Sequence, residues 1–204
     1  MKLRGLYAIT PEAAASDALL RQVAQALEGG IAALQYRRKG RQDIQEARAL
    51  LAQCRARRVP FIINDDLALA LECGADGVHL GRDDGDVAAA RSRLAGKFLG
   101  ASCYDSLAVA RAAVAAGADY VAFGSVFPSP TKPAAAQAPH ALFGRARALG
   151  VPLVAIGGIT LQNAPQLLEA GADCLAVISD LFDAADIAGR ARAYGKLFEH
   201  DHAQ

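Results

Sequence analysis

Eight short apolar runs, each followed by a stretch with helical spacing, constrain this chain more than any other feature. The runs are LYAIT (6–10), AALQY (32–36), FIIN (61–64), GVHL (77–80), FLGASC (98–103), YVAFGSVF (120–127), PLVAIGG (152–158) and CLAVIS (174–179). They do not alternate polar with apolar, which is the mark of strands buried on both faces. Between them, residues 18–27, 44–54, 88–94, 107–115 and 164–170 carry helical spacing and are rich in Ala, Leu, Arg and Glu. Residues 67–73 are too few for two hairpin strands and enough for about two helical turns. Three junctions read Gly-Ala-Asp, at 74–76, 117–119 and 171–173, and Gly29–Gly30 occupies the same place earlier. A glycine there ends a helix in the left-handed conformation. The chain therefore reads as internal repeats of one βα unit. Eight such units predict a single (β/α)8 TIM barrel over residues 1–204, with a frayed polar tail at about 199–204. The competing doubly wound open sheet lacks its glycine fingerprint after the first run.

Composition closes several other routes. The 204 residues include 22 basic and 21 acidic ones, a formal net charge of +1, so no nucleic-acid or anionic-membrane partner is expected. No apolar run approaches the roughly 20 residues that span a bilayer, and the start, MKLRGLYAITPE, does not read as a secretory signal. Cys54, Cys73, Cys103 and Cys174 are widely spaced, as expected of reduced core thiols in a cytoplasmic protein. The proline-rich stretch 128–140 reads as a mobile loop over the rim. Oligomeric state is not legible.

In such a barrel the chemistry sits at the C-terminal ends of the strands. Two neighbouring runs end there in acid: FIINDD in Asn64, Asp65 and Asp66, and GVHLGRDD in Asp83 and Asp84. Carboxylates converging on one rim point to Mg²⁺, although one member of each pair can equally cap the next helix or lie in a solvated loop. The second run ends in Gln35, Arg37, Arg38 and Lys39, of which Arg38 should point away because alternate residues face opposite sides. The fifth gives Ser102, Cys103 and Tyr104, and the sixth leads into Ser129, Thr131 and Lys132. The seventh ends in Gly157 and Gly158 and the eighth in Ile178 and Ser179, where barrels often bind phosphate through backbone N–H groups. His79 lies inside an apolar run and reads as a packed core histidine. Cations, carboxylates and small residues on one rim suit phosphorylated small molecules with Mg²⁺.

These motifs, in this order, resemble the thiamine phosphate synthase family. The resemblance rests on QYRRK, FIINDD, GADGVHLGRDD, GADYVAFGSVFPSPTK and VAIGGIT, and runs from LYAIT to AVISDLF. It implies a transferase that joins a pyrimidine diphosphate to a thiazole phosphate and releases pyrophosphate. It also implies that Gln35, Arg37, Lys39, Asn64, Ser102 and Lys132 contact the pyrimidine diphosphate. Of these, Arg37, Lys39, Lys132 and Ser102 would carry catalysis. Asp65 and Asp84 would hold Mg²⁺, and Ser129, Thr131, Gly158, Ile178 and Ser179 would hold the thiazole phosphate. Four positions depart from the family pattern: Pro11 stands for an Asp, Arg38 for the Glu of QxREK, Tyr104 for a His, and Ala134 for an acid. The alternatives are a thiazole tautomerase of the sister family, which carries a histidine at the place of Tyr104, and a non-catalytic binder of thiamine precursors.

Overall fold

A computed structural model describes residues 3–12, 14–38, 40, 42–128 and 137–199. The strands are β1 Gly5–Ile9, β2 Ala33–Tyr36, β3 Phe61–Asn64, β4 Gly77–Leu80, β5 Phe98–Tyr104, β6 Tyr120–Phe123, β7 Leu153–Ile156 and β8 Cys174–Val177. Each pairs in parallel with the next, and β8 closes onto β1 with Gly5 opposite Cys174 and Ala8 opposite Val177. The helices are α1 Ser16–Glu28, α2 Ile44–Arg57, α3 Leu67–Cys73, α4 Val87–Arg93, α5 Leu107–Ala115, α6 Ala141–Ala146, α7 Ala164–Ala170, α8 Ser179–Phe182 and α9 Ile187–Glu199. This is the closed (β/α)8 barrel that the alternation predicts. Its last helix includes Glu199, the first residue of the expected tail. Residues 200–204 lie outside the described residues, as does most of the 128–140 loop.

Two buried clusters explain why the strands lack polar alternation. Tyr7, Ile9, Ala33, Ile62, Tyr120, Ala122, Val154, Cys174 and Ala176 pack together as one face of the strands, the barrel interior. The intervening residues, such as Leu6, Leu34, Phe61, Val78, Leu99, Val121 and Leu175, pack outward on helix residues including Leu19, Leu50, Phe143 and Tyr194. Both faces are removed from water, so both are apolar. Gly100 makes room inside, since a Cβ there would run into the Tyr120 ring.

The Gly-Ala-Asp junctions carry more than a helix stop. Gly74, Gly117 and Gly171 take φ of +77°, +100° and +104°. The aspartate after each of them ties the start of its strand to the strand before. Asp76 N–H donates to Phe61 O, and its carboxylate accepts from Phe61 N, both at 2.9 Å. Asp119 does the same with Leu99 at 2.7 Å each way, and Asp173 with Leu153 at 2.8 Å each way. These are β4, β6 and β8. At β2 the equivalent residue is Ala32, which keeps only the backbone bond to Leu6. The clamp thus recurs at β4, β6 and β8 and is reduced to its backbone half at β2. Among the described residues all four cysteines are buried and unpaired, and no helix is long and apolar enough to cross a membrane.

Candidate active site

The C-terminal ends of β2, β3 and β4 enclose an open cleft of about 910 Å³, lined by Arg37, Arg38, Gly40, Gln42, Asn64, Asp65, Asp66, Leu67 and Asp84. Arg37 is fixed by its backbone: its N–H donates to Thr10 Oγ1 at 2.9 Å, and that hydroxyl donates back to Arg37 O at 3.0 Å. Its guanidinium pairs with Glu12 at 2.7 Å, both side chains about a quarter exposed. Arg38 borders the cleft but turns its guanidinium away from Arg37, toward α2. It grips the Glu46 carboxylate of α2 through Nε at 2.9 Å and Nη2 at 2.6 Å, and donates from Nη1 to the carbonyls of Glu12 and Ala14.

The two acidic strand ends resolve into different tasks. Asp66 caps α3, its carboxylate accepting from Leu69 N at 2.8 Å. Asp65 turns back over the barrel with φ of +64°, a conformation Asp tolerates better than most residues. Its N–H donates to His79 O at 2.8 Å, and its carboxylate accepts from the Asn64 side chain. Across from it Asp84 accepts from Gly81 N at 3.1 Å. A Cβ at Gly81 would lie against the Asp84 carboxylate, so glycine there lets that carboxylate sit over the backbone. Burial, followed by the hydrogen bond and the like charge of Asp84, pushes the Asp65 carboxyl up to about 6. Asp83 is exposed. Replacing Asp66 by Ala should therefore cost about 1 kcal/mol of stability in chemical denaturation and leave turnover close to normal, in contrast to Asp65.

Deeper in the barrel, Gln35 Nε2 donates to Tyr7 Oη at 3.1 Å and Tyr7 Oη contacts Tyr120 Oη at 2.8 Å. His79 bridges Tyr120 Oη at 3.1 Å through Nδ1 and Ser102 Oγ at 2.9 Å through Nε2. The histidine is buried, as expected, but it is a hydrogen-bonded link rather than packing alone. Burial holds it neutral, with its pKa down to about 4. At the end of β5 Tyr104 also takes positive φ, +55°, after a register shift between Ser102 and Tyr104. Its hydroxyl accepts from Arg82 N at 3.2 Å, and the Arg82 guanidinium lies 4.4 Å over its ring.

On the far side of the rim, Gly157 and Gly158 have φ of +108° and +62°. Side chains there would strike Ser125 and the backbone of Pro128, so both glycines serve the packing of β7 against the loop after β6. Val177 ends β8, Ile178 is the N-cap residue of α8, and Ser179 opens that helix. Lys39, Ser129, Thr131 and Lys132 lie outside the described residues. The structure thus brings Arg37, Asn64, Asp65 and Asp84 together in the cleft, puts Gln35 and Ser102 at the two ends of the interior hydrogen-bond chain, and sets Gly158, Ile178 and Ser179 just after β7 and β8. Sequence reasoning missed Gln42, whose Nε2 donates to Asn64 O at 2.5 Å while its Oε1 is buried with no hydrogen-bond partner among the described residues.

The profile of the thiamine monophosphate synthase family matches residues 6–181. The chain is 57% identical to a thiamine-phosphate synthase of Aromatoleum aromaticum over 203 residues, covering 97% of this chain and 98% of that one. It is 56% identical to one of Methylobacillus flagellatus, with 96% of each chain covered. The chain belongs to the thiamine phosphate synthase family. Its fold agrees with that of a thiamine phosphate pyrophosphorylase from Pyrococcus furiosus, with a TM-score of 0.85 at 32% identity, covering 98% of this chain and 97% of that one. Two departures from the synthase pattern gain a physical account. Arg38 stands for a glutamate but faces α2, where Glu46 neutralises it. Tyr104 stands for a histidine and holds the Arg82 segment through its hydroxyl and its ring.

Proposed function

We propose that the chain condenses 4-amino-2-methyl-5-(diphosphomethyl)pyrimidine with 4-methyl-5-(2-phosphoethyl)thiazole, giving thiamine phosphate and pyrophosphate, with Mg²⁺ held between Asp65 and Asp84. Membership of the synthase family supports the reaction. The observation that supports the metal is the pair of carboxyl groups at the ends of β3 and β4, close enough to hydrogen-bond and beside Arg37. Two carboxylates so placed cannot both ionise comfortably without a cation. Among the described residues no group of three or more His, Cys, Asp or Glu side chains gathers. Two carboxylates with the rest of the shell left to water and phosphate oxygens is the arrangement Mg²⁺ favours. When bound, Mg²⁺ neutralises charge on the departing diphosphate.

The chain's own residues do the rest. The bond between the pyrimidine methylene and the diphosphate oxygen breaks, and its electron pair leaves with the diphosphate. The electron-rich aminopyrimidine stabilises the cationic methylene, and the thiazole nitrogen lone pair then forms the new C–N bond. Arg37, permanently charged and anchored by Thr10 and Glu12, meets the developing charge with little reorganisation. Ser102 and the Asn64 amide face the same substrate. By their place in the family motifs, Lys39 and Lys132 add charge, and Ser129, Thr131, Gly158, Ile178 and Ser179 take the thiazole phosphate. No strong base is required, and the histidine beneath the rim is held neutral.

Both phosphorylated precursors supplied with Mg²⁺ should yield thiamine phosphate and an equal amount of pyrophosphate, and excess chelator should abolish both. Absence of product with Mg²⁺ overturns the reading of the reaction. Equal product in chelator overturns the metal. Isomerisation of the thiazole carboxylate phosphate alone would mark a tautomerase instead.

A further inference from the structure

Gln35 and Ser102 are both proposed to face the pyrimidine, and both end on the same buried hydrogen-bond chain. The order is Gln35, Tyr7, Tyr120, His79, Ser102, with links of 3.1, 2.8, 3.1 and 2.9 Å. Tyr7, Tyr120 and His79 are 1%, 1% and 7% exposed, so bulk water does not reach them.

Counting protons gives the chain a direction. A tyrosine hydroxyl has a single proton to donate. Gln35 Nε2 donates to Tyr7 Oη, so the Tyr7 proton goes to its other neighbour, Tyr120 Oη. The Tyr120 proton then goes to His79 Nδ1. With Nδ1 accepting, the ring proton of neutral His79 sits on Nε2 and is donated to Ser102 Oγ. The Ser102 proton remains for a ligand. The opposite order requires the Gln35 amide to turn over so that its oxygen accepts the Tyr7 proton, with His79 protonated on Nδ1 and Ser102 donating inward; the placement of Gln35 Nε2 against Tyr7 Oη selects the first order.

We propose that Tyr7, Tyr120 and His79 are positioning residues whose one-way hydrogen-bond chain makes Gln35 present its amide oxygen, and Ser102 its hydroxyl proton, to the substrate. The proposal rests on the reading of Gln35 and Ser102 as substrate contacts. An acceptor at Gln35 matches the exocyclic amine of an aminopyrimidine, and a donor at Ser102 matches a diphosphate oxygen. The two ends are coupled: reversing one hydroxyl anywhere along the chain reverses both, so the site distinguishes a ring edge that donates from one that only accepts.

Two measurements test it. Nitrogen NMR of histidine-labelled protein at pH 7.5, with His79 assigned by comparison with His79→Gln, should show protonated Nε2 and bare Nδ1 in the absence of any substrate. The Nδ1–H tautomer overturns the direction whether or not the protein turns over. In the active enzyme Tyr7→Phe should lower kcat/KM for the pyrimidine diphosphate roughly tenfold while KM for the thiazole phosphate stays unchanged. In a Gln35→Leu background the same change should have no further effect. Equal losses in both backgrounds mean that Tyr7 does not act through Gln35, and overturn the proposal. Failure of the wild-type protein to turn over would instead overturn the proposed reaction, with the tautomer still read independently.

Discussion

Asp65→Asn should lower turnover by roughly 10²–10³-fold and, in metal-free protein at pH 7.5, raise Tm. Asparagine keeps the side-chain length, tolerates the positive φ of this position and can still accept from Asn64. What it removes is the charge. In the folded protein the Asp65 carboxyl titrates near 6, against an ordinary value of 3.8. Between those values the folded chain holds a proton that the unfolded chain has released. Stability from this group therefore falls as pH rises through the window, and above about 6 the full cost of the ionised pair is present. Asp65 is only half-buried, so solvent screening reduces that cost to about 1 kcal/mol, or about 2–4 °C for a chain of this size. The gain in Tm should shrink at pH 5 and vanish near pH 4, where the wild-type carboxyl is already protonated. Added Mg²⁺ should stabilise the wild type at pH 7.5 and leave the variant unchanged. Near-normal turnover with unchanged Tm would return Asp65 to a local structural task. A variant that is more stable and less active is the expected consequence of holding like charges together for a ligand.

The legible and hidden parts of this molecule divide along physical lines. FIIN, the helix at 67–73 and GVHL could be placed from sequence because buried strands are apolar throughout and Gly74 marks the helix end. YVAFGSVF could not be ended correctly. β6 stops at Phe123, and the residues beyond it follow an irregular path against the end of β7, where Val126 N donates to Ile156 O and Phe127 N to Gly157 O. An apolar run reports burial, not regular ladder geometry. Within Asp65–Asp66 the spacing allowed either residue to cap. The division depends on Asp65 taking positive φ, which no local pattern announces. The interior chain was least legible. With both faces of every strand apolar, nothing marks Tyr7 and Tyr120 as pointing inward, and their partners stand 41 and 113 residues apart. Tyrosines in strands ordinarily mean packing, and only the fold brings their hydroxyls into line.

Glu46→Ala should destabilise the protein by about 3 kcal/mol, lowering Tm by about 6–12 °C, as much as the loss of a buried apolar side chain. By sequence Glu46 is an unremarkable residue in the first turn of α2, yet it is 7% exposed. It receives the Tyr36 hydroxyl at 2.5 Å and both Arg38 contacts, while Arg38 also holds the carbonyls of Glu12 and Ala14. One carboxylate thus joins α2, the end of β2 and the β1–α1 loop. Its removal strands a largely buried guanidinium and a buried hydroxyl, a greater loss than the attraction of the pair alone. Arg38 keeps two carbonyl acceptors, which holds the cost near the low end for broken buried pairs. The double change Arg38→Met with Glu46→Leu should recover most of it, because neither charge is then left unmatched. Burial alone would raise the Glu46 carboxyl, but the hydrogen bonds from Arg38 and Tyr36 outweigh it and hold it below its ordinary value. Its contribution is accordingly present above the ordinary carboxylate range and lost as pH falls through the depressed value. Denaturation measured against pH should therefore show wild type and Glu46→Ala converging in acid. Parallel curves down to pH 2 would mean that the carboxylate acts through shape, not charge.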